Sequence, residues 1–228
     1  MPSNYIVFEG IDGSGKDTQQ KMLCEKLSNL GIPFEGRGEP SAGPIGRMIR
    51  NDYLSGLIHT HQLALQALFV ADRLDHVLNV GTGIKQRLEA GINIIQVRGY
   101  LSGLAYGSAS IKPEAIEMIH EINIRVLRPT VTIWIDIDPG VGLSRIASRK
   151  GREEIFDGLE KQKKIKERYL HYIEKLSNDG EKFIAVDGNR PSFKVHEYIW
   201  KHVAPLFLKS EDDDDREDNL WGIKTAMN

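Results

Sequence analysis

The sequence predicts an α/β protein, a three-layer parallel sheet with helices on both faces. Three observations predict it. Strand-like runs alternate with helix-like stretches as far as about residue 208. The longer strand-like runs are almost continuously apolar and rich in β-branched residues, as strands covered on both faces must be. The first of them, Tyr5-Ile6-Val7-Phe8, leads directly into a glycine-rich turn, G-I-D-G-S-G-K-D-T at 10–18.

In chain order, strands are expected at 5–8, weakly at 33–35, and at 92–97, 130–135 and 183–186. Helices are expected at 18–30, 44–52, 61–88, 113–127, 140–148, 159–176 and 192–207. The stretch 19–30 is amphipathic, and Pro44 and Pro113 stand at the first helical position, where a missing N–H costs nothing. Asp136 and Asp138 end the fourth strand, and a cap for the helix opening at Pro139 accounts for at least one of them. Ligands in such sheets bind beyond the carboxyl ends of the strands. That edge gathers the 10–18 turn, Arg37 to Pro40 after the second strand, and Arg98 after the third.

Composition bounds the protein further. The chain has 228 residues, 40% of them hydrophobic, and a formal net charge of −2. That suits one globular domain at 1–208 and gives no reason to expect strong nonspecific nucleic-acid binding. No apolar stretch approaches the roughly 20 residues that span a bilayer, so no membrane partner is expected. The one cysteine, Cys24, excludes an internal disulfide framework, reads as a buried structural thiol and fits a reducing, cytoplasmic compartment. His59 and His61 lack companions at metal-ligand spacing and read as exposed residues at a helix start. Residues 209–228 carry Glu211-Asp212-Asp213-Asp214-Asp215, a like-charge block expected to form a disordered acidic tail.

The 10–18 turn carries the chemistry. Gly10, Gly13 and Gly15 let the backbone fold back so that the N–H groups of Ile11, Asp12, Ser14 and their neighbours face a polyphosphate. Lys16 would reach the outer phosphates, and the following helix offers its positive end to the same anion. The Ser or Thr that usually follows the Lys and holds Mg²⁺ is Asp17, with Thr18 one place later. Either would serve the metal, directly or through water.

F-E-G-I-D-G-S-G-K at 8–16 resembles the opening of the thymidylate kinase family. Four further pieces fall in that family's order: Glu39-Pro40 with Gly43-Pro44-Ile45-Gly46, then Leu68-Phe69-Val70-Ala71-Asp72-Arg73, then Arg98 with Ser102, Ala105 and Tyr106, and last 129–138 with Gly142-Leu143 and Arg149. The resemblance covers 5 to about 207. It implies a P-loop nucleotide-kinase fold, ATP with Mg²⁺, and phosphoryl transfer to dTMP or a 5-substituted deoxypyrimidine monophosphate. It also implies a possible homodimer through the long helices. By resemblance, Lys16, Arg98 and Arg149 are catalytic, and a lid lies near 149–157. Asp12 would contact the acceptor's 3′-hydroxyl, Phe69 would stack on the base, and Arg73 would read a base carbonyl. Arg98 would hold the acceptor phosphate, and Tyr106 would lie under the sugar. Phe69 and Tyr106 as core aromatics, and Arg73 as a surface partner of Asp72, are the plainer alternatives.

The departures from the family pattern are specific. Val97 replaces the Asp before Arg98, Gly38 replaces the Arg before Glu39 with Arg37 one place early, and Ile155 replaces a lid arginine. Arg149, Lys150 or Arg152 would restore the lid charge. The altered acceptor side leaves a second reading open, a viral kinase acting in the host cytoplasm on the hydroxymethyl group of 5-hydroxymethyluracil in DNA. A third is a nucleotide-binding module without catalysis.

Overall fold

The computed structural model describes residues 3–150 and 155–208, with backbone alone at 149–150 and 155–157. The expected lid and acidic tail therefore fall wholly or largely outside the described residues. The strands are β1 Tyr5–Glu9, β2 Phe34–Gly38, β3 Asn93–Val97, β4 Val131–Asp136 and β5 Phe183–Asp187. Among the described residues they form one parallel sheet in the order β2-β3-β1-β4-β5. The helices are α1 Lys16–Asn29, α2 Pro44–Met48, α3 Gln62–Leu78, α4 Ile84–Glu89, α5 Tyr100–Ser108, α6 Pro113–Val126, α7 Pro139–Lys150, α8 Ile155–Asn178 and α9 Ser192–Val203.

The apolar runs are buried on both sides because successive side chains alternate faces. Ile6 and Phe8 of β1 pack with Leu23 and Leu27 of α1 and with Val195 and Ile199 of α9. Tyr5 and Val7 point the other way, toward Val77 of α3 and Ile84 of α4. On that second side, α5, α6 and α8 close over Trp134 of β4 through Leu101, Leu104, Ile116 and Tyr169. The order of strands sets the site. The chain leaves β1 toward β2 on one side, and leaves β3 toward β4 on the other. The crevice between the carboxyl ends of β1 and β3 is therefore the switch point where α/β sheets bind ligands.

Three elements differ from the sequence reading. The expected 61–88 helix is two helices, α3 and α4, because Asn79-Val80-Gly81-Thr82-Gly83 turns the chain with Gly81 at φ 87°. The expected 44–52 helix is α2 running into a π-type turn at Ile49–Tyr53. Helix α5 was not expected, since Gly103 and Gly107 weaken its helix signal. Packing requires both glycines. A Cβ on Gly103 would lie 2.2 Å from His120 Cε1, and one on Gly107 would lie 2.9 Å from Ile116 Cδ1. Cys24 is half-buried rather than buried, and partial desolvation pushes its thiol up to about 11.

Candidate active site

The 10–18 turn takes the form of a phosphate cradle. Gly15 precedes α1 at φ 93° and no side chain caps that helix end, so the first-turn N–H groups face the turn. Gly13, at φ 79°, has room for no side chain, because a Cβ would lie 2.3 Å from Gly142 O. Gly142 reciprocates, with its own Cβ position 2.6 Å from Asp12 O. The start of α7 thus rests directly on the turn. Arg145 of α7 fastens the contact, donating to Gly13 O at 3.3 Å and to Gly188 O at 3.0 Å. Lys16 Nζ donates to Ile11 O at 3.2 Å inside the turn. Burial, helped by the nearby Arg98 charge, lowers its ammonium to about 8. Ser14 Oγ is buried there without a partner. A buried cation curled over free backbone donors is the donor set a polyphosphate takes.

Across the switch point stands Arg98, in the left-handed region at φ 64°. Its N–H donates to Phe8 O at 2.9 Å, and its carbonyl accepts from Gln96 Nε2 at 2.6 Å. Its guanidinium pairs with the Asp12 carboxylate, donates to Ser102 Oγ at 3.3 Å and lies 4.9 Å over the Tyr106 ring. Burial alone would raise Asp12, but Arg98 and Lys16 hold it below the usual carboxylate range. Beneath this pair lies Glu9, fully buried. Its Oε1 accepts from Gly99 N at 2.8 Å and Ser102 N at 3.1 Å, and its Oε2 accepts from Ser102 Oγ at 2.6 Å and Tyr169 Oη at 3.0 Å. Glu9 caps the start of α5 and so fixes the backbone that presents Arg98. Burial raises its carboxyl above the usual range despite those donors.

Phe69, Arg73, Arg98, Tyr106 and Asp12 line one cavity of about 420 Å³. All five acceptor-side residues expected from the resemblance therefore meet in one place. Arg73 is 2% exposed and is no surface partner of Asp72. It donates to Glu39 Oε1 at 2.9 Å, Tyr5 Oη at 3.2 Å and Leu127 O at 3.2 Å. Asp72, also buried, instead accepts from Ser41 N and Ser41 Oγ at 2.6 Å each. Adjacent Asp72 and Arg73 thus tie the segment after β2 to α3. Burial would raise Glu39, but Arg73 and His76 keep it low.

A second, open groove of about 720 Å³ runs from Asp17 and Lys21 past Arg37 and Arg50 to Arg98. Arg37 is engaged by Glu35 and by Thr82 O at 3.2 Å. Arg50 donates to Pro40 O. Asp17 and Thr18 are both exposed; Asp17 borders this groove, and Thr18 lines neither space. Among the described residues no cluster of three or more His, Cys, Asp or Glu could hold a metal. The side chain of Arg149 lies outside the described residues. His61 caps α3, accepting from Leu63 N at 3.2 Å. Asp138 caps α7 through Gly140 N at 2.7 Å, while Asp136 pairs with Lys166 at 2.6 Å. No described helix is long and apolar enough to cross a membrane.

Several contributors escaped the sequence reading. Glu9 and Tyr169 act through partners 67 to 160 residues away, and Gln96 through Arg98 and through Glu39, 57 residues away, so no local pattern marks their roles. Arg145 had a signal, since it stands four residues before Arg149 in the matched pattern.

The cradle, switch-point arginine and adjoining cavity define a P-loop nucleotide kinase. Residues 8–199 match the family model described as thymidylate kinase. A probable thymidylate kinase of Methanococcus maripaludis strain C7 is 36% identical over 205 residues, covering 90% of this chain and 92% of the relative. One from Thermococcus kodakarensis is 36% identical over 177 residues, covering 75% and 84%. One from Methanocaldococcus jannaschii is 32% identical over 196 residues, covering 86% and 93%. The chain belongs to the thymidylate kinase family, and it is a kinase that transfers a phosphoryl group to a thymidylate-like substrate.

Proposed function

We propose that this kinase transfers the γ-phosphoryl group of ATP to the phosphate of dTMP, or of a closely related 5-substituted deoxypyrimidine monophosphate. One observation carries the proposal. The cavity lined by Phe69, Arg73 and Tyr106 opens at Asp12 and Arg98, beside the turn that carries Lys16. A donor held by that turn and an acceptor held in that cavity would meet at Arg98.

Phosphoryl transfer asks mainly for alignment and positive charge. The acceptor phosphate is already ionised at neutral pH, so no strong base is required. Its oxygen forms a bond to the γ-phosphorus, the bond from that phosphorus to the β,γ-bridging oxygen breaks, and the electron pair leaves with ADP. Lys16 and the uncapped N–H groups of α1 would bind the donor phosphates. Arg98, locked by Glu9 and Gln96 through its own backbone and α5, would hold the acceptor oxygen in line. Asp12 would hold Arg98 until substrate arrives and would orient the sugar's 3′-hydroxyl. The oxygen-rich Asp17 fits a hard cation bound mainly through phosphate. Magnesium, when bound, would supply charge neutralisation between the outer phosphates.

The test offers labelled ATP and Mg²⁺ with dTMP, other monophosphates, and duplex DNA with or without 5-hydroxymethyluracil. Label on dTMP or a 5-substituted relative is expected. Label in DNA alone would replace this proposal with the DNA-modifying one, and ATP binding without transfer would leave a nucleotide-binding module.

A further inference from the structure

The Arg98 guanidinium is gripped from two sides. On one side Nη2 pairs with the Asp12 carboxylate. On the other, Nη1 donates to Ser102 Oγ at 3.3 Å. An incoming phosphate competes with the first partner, because both are anions seeking the same charged donors. The second partner is a neutral hydroxyl and can stay. What Ser102 offers therefore decides where the guanidinium rests once the acceptor is bound.

Ser102 is itself held. Its Oγ donates to Glu9 Oε2 at 2.6 Å and lies 2.7 Å from Tyr169 Oη, which reaches the same Glu9 oxygen at 3.0 Å. All three side chains are buried. A hydroxyl carries one hydrogen and two lone pairs. The carboxylate is the stronger acceptor and claims the Ser102 hydrogen. The Tyr169 hydrogen closes the triangle, on Ser102 Oγ or on the carboxylate. In either case the Ser102 hydrogen is turned away from Arg98, and a lone pair faces the guanidinium. The hydrogen bonds from Ser102 and Tyr169 also oppose the burial that raises the Glu9 carboxyl, and so keep negative charge behind Arg98.

Packing fixes where that phenol lies. The Tyr169 ring leans on Trp134 with centroids 4.6 Å apart and meets the Tyr106 ring edge-on at 6.1 Å. Tyr106 in turn lies under Arg98. One side chain of α8 thus touches both the hydroxyl beside the guanidinium and the ring beneath it.

We infer that Tyr169 is a positioning residue for phosphoryl transfer: through Ser102 and Glu9, its hydroxyl holds the Arg98 guanidinium in line after the acceptor phosphate has displaced Asp12. The inference rests on the proposed meeting of donor and acceptor at Arg98, and not on which base the acceptor carries. Tyr169 touches neither substrate. Phe69 and Arg73 would still hold the base, and Lys16 the donor, without its hydroxyl. Its loss should therefore slow the chemical step and leave binding alone.

Tyr169→Phe keeps the ring and removes only the oxygen. Tyr172→Phe is the matched control, because Tyr172 lies one turn further along α8, is 1% exposed, and its hydroxyl has no partner. The experiment measures single-turnover transfer from magnesium ATP to dTMP, Kd for each nucleotide by calorimetry, and Tm, all on the full chain and well below the lowest Tm. Tyr169→Phe should slow transfer by about 10-fold or more while both Kd values stay within about 2-fold. Tyr172→Phe should transfer at the wild-type rate. Ser102→Ala should be slower still, since it removes the direct partner of Arg98. The double variant Tyr169→Phe with Ser102→Ala should be about as slow as Ser102→Ala alone, because both changes break one chain of contacts. A smaller loss in Tyr169→Phe, weaker binding of both nucleotides in step with the rate, an equal loss in Tyr172→Phe, or losses that multiply in the double variant would each overturn the inference. If wild type ignores dTMP and phosphorylates another acceptor, the proposed acceptor fails, and the same comparison on that acceptor decides the role of Tyr169. Equal dTMP transfer by wild type and Tyr169→Phe would do the reverse, and a wild type that transfers to no acceptor would overturn both.

Discussion

Glu39 Oε1 stands 2.9 Å from Arg73 Nη1; the Arg73 side chain is buried and that of Glu39 largely so, at 11% exposed. The pair joins the segment after β2 to the helix that carries Phe69. Gln96 Nε2 reaches the same Glu39 oxygen at 3.0 Å, so the third strand is tied in as well. Loss of either partner strands a buried charge. Glu39→Ala and Arg73→Ala should each destabilise the fold by about 3–5 kcal/mol. Denaturant unfolding checks this, and a loss under about 1 kcal/mol would show the pair to be better solvated than its burial implies.

Lys16 lies under the opposite demand, since its burial opposes its charge. Lys16→Ala should leave Tm close to wild type while lowering kcat by about 10³-fold. Retention of near-normal turnover would remove this side chain from the site.

The lowered Lys16 ammonium also gives a pH dependence. Below about 8 the free enzyme holds a cation at the turn; above it the charge is lost. The value of kcat/KM for ATP, which reports the free enzyme, should fall as pH rises through about 8. A flat profile to pH 9.5 would contradict the assignment.

Arg98 sits at φ 64°, a conformation that costs a side chain about 1–2 kcal/mol and glycine almost nothing. Arg98→Gly should therefore hold Tm within a few degrees of wild type, although it loses the Asp12 pair, and should lower kcat by at least about 10²-fold. A sharp drop in Tm with activity preserved would make Arg98 a structural residue.

His120 adds an acid-side effect. Its folded value is depressed, so the unfolded chain binds more protons once pH falls below about 6.5, and stability is lost down to about 4. Arg73 deepens the depression and Glu39 opposes it. Relative to pH 8, wild type should lose about 2 kcal/mol more than His120→Leu near pH 5. Equal acid slopes would show that the imidazole is already solvated or paired.

Much of this was legible in the chain itself. The apolar runs marked four of the five strands, β2 (Phe34–Gly38) being only weakly marked because it is largely polar and glycine, and the glycine spacing with Lys16 marked the cradle, because those signals are local. Two kinds of feature were not. The first is a helix whose residues answer to neighbours rather than to propensity: α5 reads poorly because Gly103 and Gly107 make room for His120 and Ile116. The second is a residue whose role depends on distant partners. Glu9 looked like one letter of a motif, yet it caps α5 more than ninety residues on. Phe69, Arg73 and Tyr106 stood out as candidate acceptor residues through resemblance alone, since the first and last read equally well as core aromatics and Arg73 as a surface partner of Asp72.

The sequence by itself determined the layered parallel architecture, the phosphate turn and the family, because periodicity, glycine placement and ordered motifs are properties of short segments. Tertiary structure decided what Arg73 is bonded to, how Arg98 is held in a left-handed conformation across the switch point, and which hydroxyls of α5 and α8 stand behind its side chain. Those outcomes depend on strand order and helix packing, which bring together atoms that no local pattern links.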